Sequence, residues 1–212
     1  MDCCQCQGIE AVFDRRKADE ELKQYRKDGP RKTTRMLLDA LKAEGIEGMT
    51  LLDIGGGIGV VQHELLAAGA SSATNVDAAT AYIAAAKEEA ERQGHTDRVS
   101  HHYGDFVDLA PIIPPADIVT LDRVICCYHD MRSLVGLSAE RARKLYGVVY
   151  PRDTWWMKAG MRVWNLMQWI SRSRFRAFVH PTEAVEAILR EAGLERRFYR
   201  PGFLWQVAVY GR

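Results

Sequence analysis

The chain is expected to form an α/β domain around a mostly parallel sheet, closed at one edge by an antiparallel hairpin. Three observations predict this. Short apolar runs alternate with stretches of helical periodicity from about residue 33 to residue 150. A glycine-rich segment, GGGIG, joins the first strand-like run to the next helical one. Near the end, two strand-like runs follow each other with only Pro201 and Gly202 between them.

The elements follow in order. TTRMLLDALKAEG places Met36, Leu37, Leu38 and Leu41 on one side of a helix that closes at Gly45. MTLLDI is a short apolar strand, and VVQHELLAAG is a helix with Gly69 as its stop. SATNVD is the second strand, and TAYIAAAKEEAERQG is rich in good helix formers. RVSHHYGD and ADIVTLD are further strands. A helix over residues 134–144, the strand LYGVVYP, the helix TEAVEAILREAG and the strands RRFYR and LWQVAVYGR complete the chain.

With 212 residues, 47% hydrophobic and 27% charged, one domain with a full core is expected. The net charge of +1 provides no global steering field. Residues 141–180, however, carry nine Lys or Arg and a single acid, Asp153, a patch that suits an anionic substrate or lipid head groups, with a solvated face as the commoner reading of such a run. The opening residues lack a basic and apolar leader, so a cytoplasmic location with reduced thiols is expected.

The glycine loop does not read as a dinucleotide site. Counting G-x-G-x-x-G from Gly55 puts Val60 at the third glycine, and counting from Gly57 puts Gln62 there. A P-loop would need a Lys-Ser or Lys-Thr pair, which is missing. What fits is Asp53-x-Gly55-x-Gly57-x-Gly59. Asp77 ends the second strand 24 residues after Asp53, and Gly104-Asp105-Phe106 follows the third. One aspartate at a strand end is an ordinary turn or cap residue. Three at successive strand ends beside a glycine loop form a pattern.

On these residues the chain resembles the class I S-adenosylmethionine-dependent methyltransferases, over about residues 49–150. The resemblance implies a Rossmann-like fold with seven strands and S-adenosyl-L-methionine as cofactor. It implies that Asp53, Gly55, Gly57 and Gly59 hold the methionine end, that Asp77 accepts the ribose hydroxyls, and that Asp105 accepts the adenine amino group with Phe106 packed nearby. Asp122, ending the fourth strand, is a further cofactor contact. The chemistry suits these types: glycines allow close backbone approach, and the following helix N-terminus receives a carboxylate.

Within that class the chain is similar in part to the magnesium-protoporphyrin O-methyltransferase group, through KTTRMLLDALKAEG, LDRVI and SRSRFRAFVHPTEAVEAIL. Cys126-Cys127-Tyr128-His129 stands where that group has His-Tyr-Pro. The implied division is an N-terminal arm (1–32), a cofactor-binding core (33–152), a helical insertion or lid (153–180), and a terminal helix with hairpin (181–212).

Residues after the fourth strand should face the acceptor: Asp122, Arg123, Cys126, Cys127, Tyr128 and His129. His129 is the candidate general base, with Tyr128 and Asp122 as catalytic partners, although methyl transfer can proceed by positioning alone. An Asn/Asp-Pro-Pro-aromatic motif is absent, which disfavours nucleic acid as acceptor. A helix over residues 154–171 sets Lys158, Arg162, Asn165, Gln168 and Arg172 on one stripe against a Trp- and Met-rich remainder. It reads as a helix buried on the sheet, as a lid over a bulky apolar acceptor, or as an interfacial helix touching a membrane.

Cys3, Cys4 and Cys6 open the chain in a C-C-x-C arrangement that is not a zinc spacing, so no metal is expected. If the arm folds over the pocket, all five cysteines meet there, where thiolates would select a soft ion or a metalloid. The function expected is therefore O-methylation of a small, hydrophobic, anionic acceptor. The alternatives are methylation of sulfur or a thiol-bound metalloid, and a cofactor-binding interaction protein without turnover.

Overall fold

The structure is a computed structural model that describes the backbone of residues 4–212 and the side chains from residue 8 onward. The chain opens with α1 (Cys4–Val12) and α2 (Arg15–Asp28), which form the N-terminal arm, followed by α3 (Lys32–Ala43). The alternating core follows: β1 (Thr50–Ile54), α4 (Val60–Ala67), β2 (Ser72–Asp77), α5 (Thr80–Gln93), β3 (Val99–Tyr103), α6 (Phe106–Leu109), β4 (Ala116–Asp122), α7 (Met131–Arg141) and β5 (Ala142–Pro151). α8 (Trp155–Ile170), α9 (Thr182–Glu191), β6 (Glu195–Pro201) and β7 (Trp205–Gly211) complete it.

The seven strands run in the order β3-β2-β1-β4-β5-β7-β6. All neighbours are parallel except β7, which runs antiparallel to both β5 and β6. The order therefore reverses between β1 and β4, and a crevice opens above their C-terminal ends. This is the expected mostly parallel sheet with its antiparallel hairpin.

Strand alternation builds the core on both faces. Leu51, Ile118 and Val149 point to the cluster with Leu37, Leu41 and Leu65 of α3 and α4. Their neighbours Leu52, Val119 and Val148 point to the opposite cluster with Leu134, Val185 and Leu189 of α7 and α9.

A third cluster docks the arm. Ala18 and Leu22 of α2 are buried against Ile58, Tyr82 and Ala85. Beside it Glu89 of α5, with no solvent exposure, accepts from Arg26 Nε at 2.9 Å and from Arg92 Nε. Burial alone would raise this carboxyl; the two guanidiniums and Gln93 outweigh it and hold it at about 2.

Two expectations shift. α7 starts at Met131 rather than near residue 134, because Asp130 caps it by accepting from Ser133 N at 3.1 Å. It ends at Arg141, since Ala142 pairs with Ala116 and the chain is already in β5. The larger correction concerns α8. None of its sixteen residues is buried, so it is not a helix packed into the sheet.

Candidate active site

A cavity of about 440 Å³ lies above the crevice, walled by the ends of β1, β2 and β4, the loop after β3, and the arm helices. At its floor β1 turns sharply. Gly55, Gly57 and Gly59 all take positive φ (62°, 58° and 87°), which side chains strongly disfavour. A Cβ on Gly55 would also lie 2.6 Å from Val124 Cγ2, so the glycine loop and the loop after β4 touch. Gly59 is the N-cap of α4 and offers no side-chain cap, which leaves the first-turn amides of that helix available to an anion.

Asp53 works from beneath this loop. It is almost wholly enclosed, and its oxygens accept from Thr120 Oγ1 at 2.6 Å and Gln62 Nε2 at 3.1 Å. Burial pushes its carboxyl up to about 7, against the pull of those two hydrogen bonds. Register explains the contact, since Asp53 and Thr120 are direct partners across β1 and β4.

Asp77 reaches the cavity from the end of β2. It accepts from Gly57 N and from Ala79 N, each at 2.9 Å, so it braces the glycine loop as well as facing the crevice. Desolvation raises it to about 6 even so. Asp105 caps α6 by accepting from Val107 N at 2.9 Å, and its second oxygen accepts the Tyr128 hydroxyl at 2.8 Å. Phe106 is buried beside it in the cavity wall.

Asp122 is held from two sides, by the Thr34 hydroxyl of α3 and by Arg123 Nε at 3.1 Å. Arg123 has φ 63°, a conformation few non-glycine residues adopt and one typical of functional loops. Cys126 and Cys127 line the cavity next to it, with their Sγ atoms 3.8 Å apart. The pair shares its ionisation unevenly. Its mutual hydrogen bond and burial push the Cys126 thiol up, while the same bond, with Lys17 and Arg123 nearby, draws Cys127 down.

Of the residues singled out in the sequence, Asp53, Gly55, Gly57, Asp77, Asp105, Phe106, Asp122, Cys126, Cys127 and Tyr128 all line this one cavity. Gly59 stands behind it, as the N-cap of α4. His129 does not join them: its ring stacks on Tyr128 and is exposed to solvent outside the cavity wall. The nearby histidine with structural work is His180, whose Nε2 lies 2.9 Å from both the Ile125 and Tyr128 carbonyls. Cys3 lies outside the described residues, as do the side chains of Cys4 and Cys6, so of the five cysteines only Cys126 and Cys127 can be placed at the cavity.

The arm contributes residues that the sequence reading passed over. Phe13, at the joint between α1 and α2, and Lys17 and Glu21, one turn apart on α2, face the cavity. Glu21 pairs with Arg31 at 3.1 Å. Lys17 sits 4.3 Å over the Phe13 ring and, among the described residues, makes no ion pair. The signal was there, in the helical spacing of Ala18, Leu22 and Tyr25, which marks α2 as a packed helix.

The O-methyltransferase domain family matches residues 4–141, and the chain belongs to that family of S-adenosylmethionine-dependent methyltransferases. No curated relative matches it by sequence. Among solved structures, it is similar to the magnesium protoporphyrin IX methyltransferase of Synechocystis with bound S-adenosylhomocysteine. That similarity has a TM-score of 0.76 and 17% identity, and covers 98% of this chain and 99% of the other. An O-methyltransferase family protein from Burkholderia thailandensis superposes with TM-score 0.72 at 18% identity, over 96% of this chain and 62% of that one. An O-methyltransferase family 2 protein from Planctomyces limnophilus, in complex with apigenin, gives 0.60 at 17%, over 87% and 63%.

The residues present suit the family's cofactor. Asp77 is a desolvated carboxylate with lone pairs left for hydroxyl donors, and uncapped helix amides stand across a glycine loop from it.

Proposed function

We propose that the chain O-methylates a small, hydrophobic acceptor bearing an anionic group. The observation that carries this reading is the acceptor half of the cavity: Ile9, Phe13 and Val124 offer an apolar wall, and Lys17 offers a cation that no carboxylate neutralises among the described residues.

Under this reading the amides of α4 hold the methionine carboxylate, Asp77 the ribose hydroxyls and Asp105 the adenine edge. When bound, S-adenosylmethionine supplies an electrophilic methyl group on a sulfonium. Lys17 and Arg123 orient the anionic acceptor, and the apolar wall excludes water from it. An acceptor that arrives ionised, such as a carboxylate, needs no base, which accords with His129 lying outside the cavity. Positioning then does most of the catalytic work.

The test is a screen of carboxylate, phenol, thiol and arsenite acceptors with labelled methyl donor. Methylation of an apolar carboxylate is expected, and Lys17→Gln should raise KM for it about tenfold while kcat changes less. Activity confined to uncharged acceptors, or an unchanged KM, would overturn the reading.

One observation favours a second reading, methylation of sulfur or of a thiol-bound metalloid: Cys126 and Cys127 both line the cavity. Cys126→Ser, Cys127→Ser and a deletion of residues 1–7 that removes Cys3, Cys4 and Cys6 would then each abolish turnover on arsenite or a thiol. Full activity of all three on an oxygen acceptor would eliminate it.

A further inference from the structure

α8 is amphipathic, and it is mounted the wrong way round for a soluble protein. Its inner stripe, Met157, Met161, Asn165 and Gln168, is only half buried. The attachment is polar: Asn165 Nδ2 donates to the Ala177 carbonyl at 2.7 Å, and its Oδ1 accepts from Ala177 N at 2.9 Å, a pairing like that of two peptides. The outer face carries Trp155 (80% exposed), Trp164, Leu166, Met167, Trp169 (66%) and Ile170 (68%). The turn between β6 and β7 extends this face, since Phe203 is 79% exposed and its ring stacks on Trp156 at 5.0 Å.

An apolar surface of this extent marks an interaction site. Its surroundings indicate with what. Residues 154–179 hold five Lys or Arg and no Asp or Glu. Lys158 pairs with Asp153 at the start of the helix; large aromatic and aliphatic side chains on one face, with this excess of cations beside them, fit the boundary between acyl chains and anionic head groups. A second copy of the chain would bring like charges together across the contact. The lid reading fails on placement, because no residue of α8 lines the cavity and its apolar face points away from the body. Nor is any described helix long and apolar enough to cross a bilayer, so the contact would be one of lying on the surface.

We infer that α8 and the β6–β7 turn dock the protein onto an anionic lipid surface. The helix lies in the interface with Trp155, Trp164 and Trp169 inserted and its cations at the phosphate level. The next segment carries Phe175, whose ring meets Phe13 at 6.0 Å, so the docked face adjoins the wall of the cavity.

The whole chain can be tested by co-sedimentation with phosphatidylcholine vesicles and with vesicles that also contain phosphatidylserine. Four of the five tryptophans lie on α8, so their emission reports insertion directly. Expected results are binding to the serine-containing vesicles with a blue shift, at least about tenfold weaker binding to phosphatidylcholine alone, and weakening by added salt. The double variant Trp169→Glu, Ile170→Glu replaces two exposed side chains, and should reduce binding at least about tenfold. Its circular dichroism and its melting-temperature rise with S-adenosylhomocysteine should match the parent. The inference is overturned by absence of binding to either vesicle or by undiminished binding of the double variant. It is equally overturned by a lipid-free dimer that the double variant dissociates, which would show a second copy covering the face.

Discussion

The Tyr128 hydroxyl donates to Asp105 Oδ2 at 2.8 Å, and so ties the loop after β4 to the loop after β3 across the top of the crevice. Asp105 keeps its capping bond to Val107 N whatever Tyr128 does, so the contact governs where the acceptor loop sits more than how α6 is capped. Tyr128→Phe is expected to lower turnover about tenfold, by loosening the loop that carries Arg123 and Cys127. Affinity for S-adenosylhomocysteine should stay within about fivefold, since Asp105 keeps its Val107 amide donor and a loss of about 1 kcal/mol is a factor of about five. Single-turnover rates and calorimetric titration separate the two, and a turnover equal to the parent's would refute the assignment.

Acid should weaken donor binding through Asp77. Its carboxyl titrates near 6 in the folded protein against 3.8 as the ordinary value, because it is desolvated. Within that window the folded state binds the extra proton, so for the ligand-free protein this group favours folding less as pH rises. Hydroxyl donors from a ribose prefer the ionised form. Affinity for S-adenosylhomocysteine should thus fall about tenfold between pH 7 and pH 5. Asp77→Asn should bind weakly at all pH and flatten the profile, which distinguishes this group from Asp53.

Asp53 sets a contrast between two conservative substitutions. Thr120→Val strips a donor from an enclosed carboxylate and should destabilise by about 1.5–3 kcal/mol in denaturant unfolding. Asp53→Asn should cost less than about 1 kcal/mol. Its amide accepts from Thr120 and donates to Gln62 Oε1, an atom without a hydrogen-bond partner among the described residues, once the glutamine amide turns over. If the asparagine variant were the less stable of the two, the negative charge itself would be what the loop requires.

Gly55→Ala combines a left-handed backbone with a clash against Val124 Cγ2 at 2.6 Å. A loss of about 2–4 kcal/mol is expected. Val124→Ala in the same chain should recover part of it by removing the methyl in the way. Recovery would establish that the two loops press on each other in solution.

How much of this was legible beforehand follows from what each signal measures. Hydrophobic periodicity reports burial, and the strands and helices from residue 32 to residue 151 obey it. Glycines and strand-end aspartates report backbone geometry, and those chosen gather at one cavity. α8 is rich in Trp and Met yet none of its residues is buried, because periodicity gives a face and not what covers it. His129 was chosen for its titration range, but its ring stacks on the solvent side of Tyr128, which itself occupies the cavity wall. Lys17 and Glu21 were overlooked because α2 is highly charged and reads as solvated until Arg26 and Glu89 are seen clamping it down.

β7 lies between β5 and β6, although it follows both in the chain. During synthesis the ten-residue strand β5 therefore waits with an open edge until Trp205–Gly211 has been made, and β6 has no strand to pair with in the meantime. Such an edge is a template for other chains. A ribosome that stalls between residues 152 and 204 would release a product prone to cross-pairing, so nascent-chain quality control has a specific window to guard here. The arginines of β6, Arg196, Arg197 and Arg200, place charge on the strand that becomes the outer edge and blunt the hazard once β7 is in place.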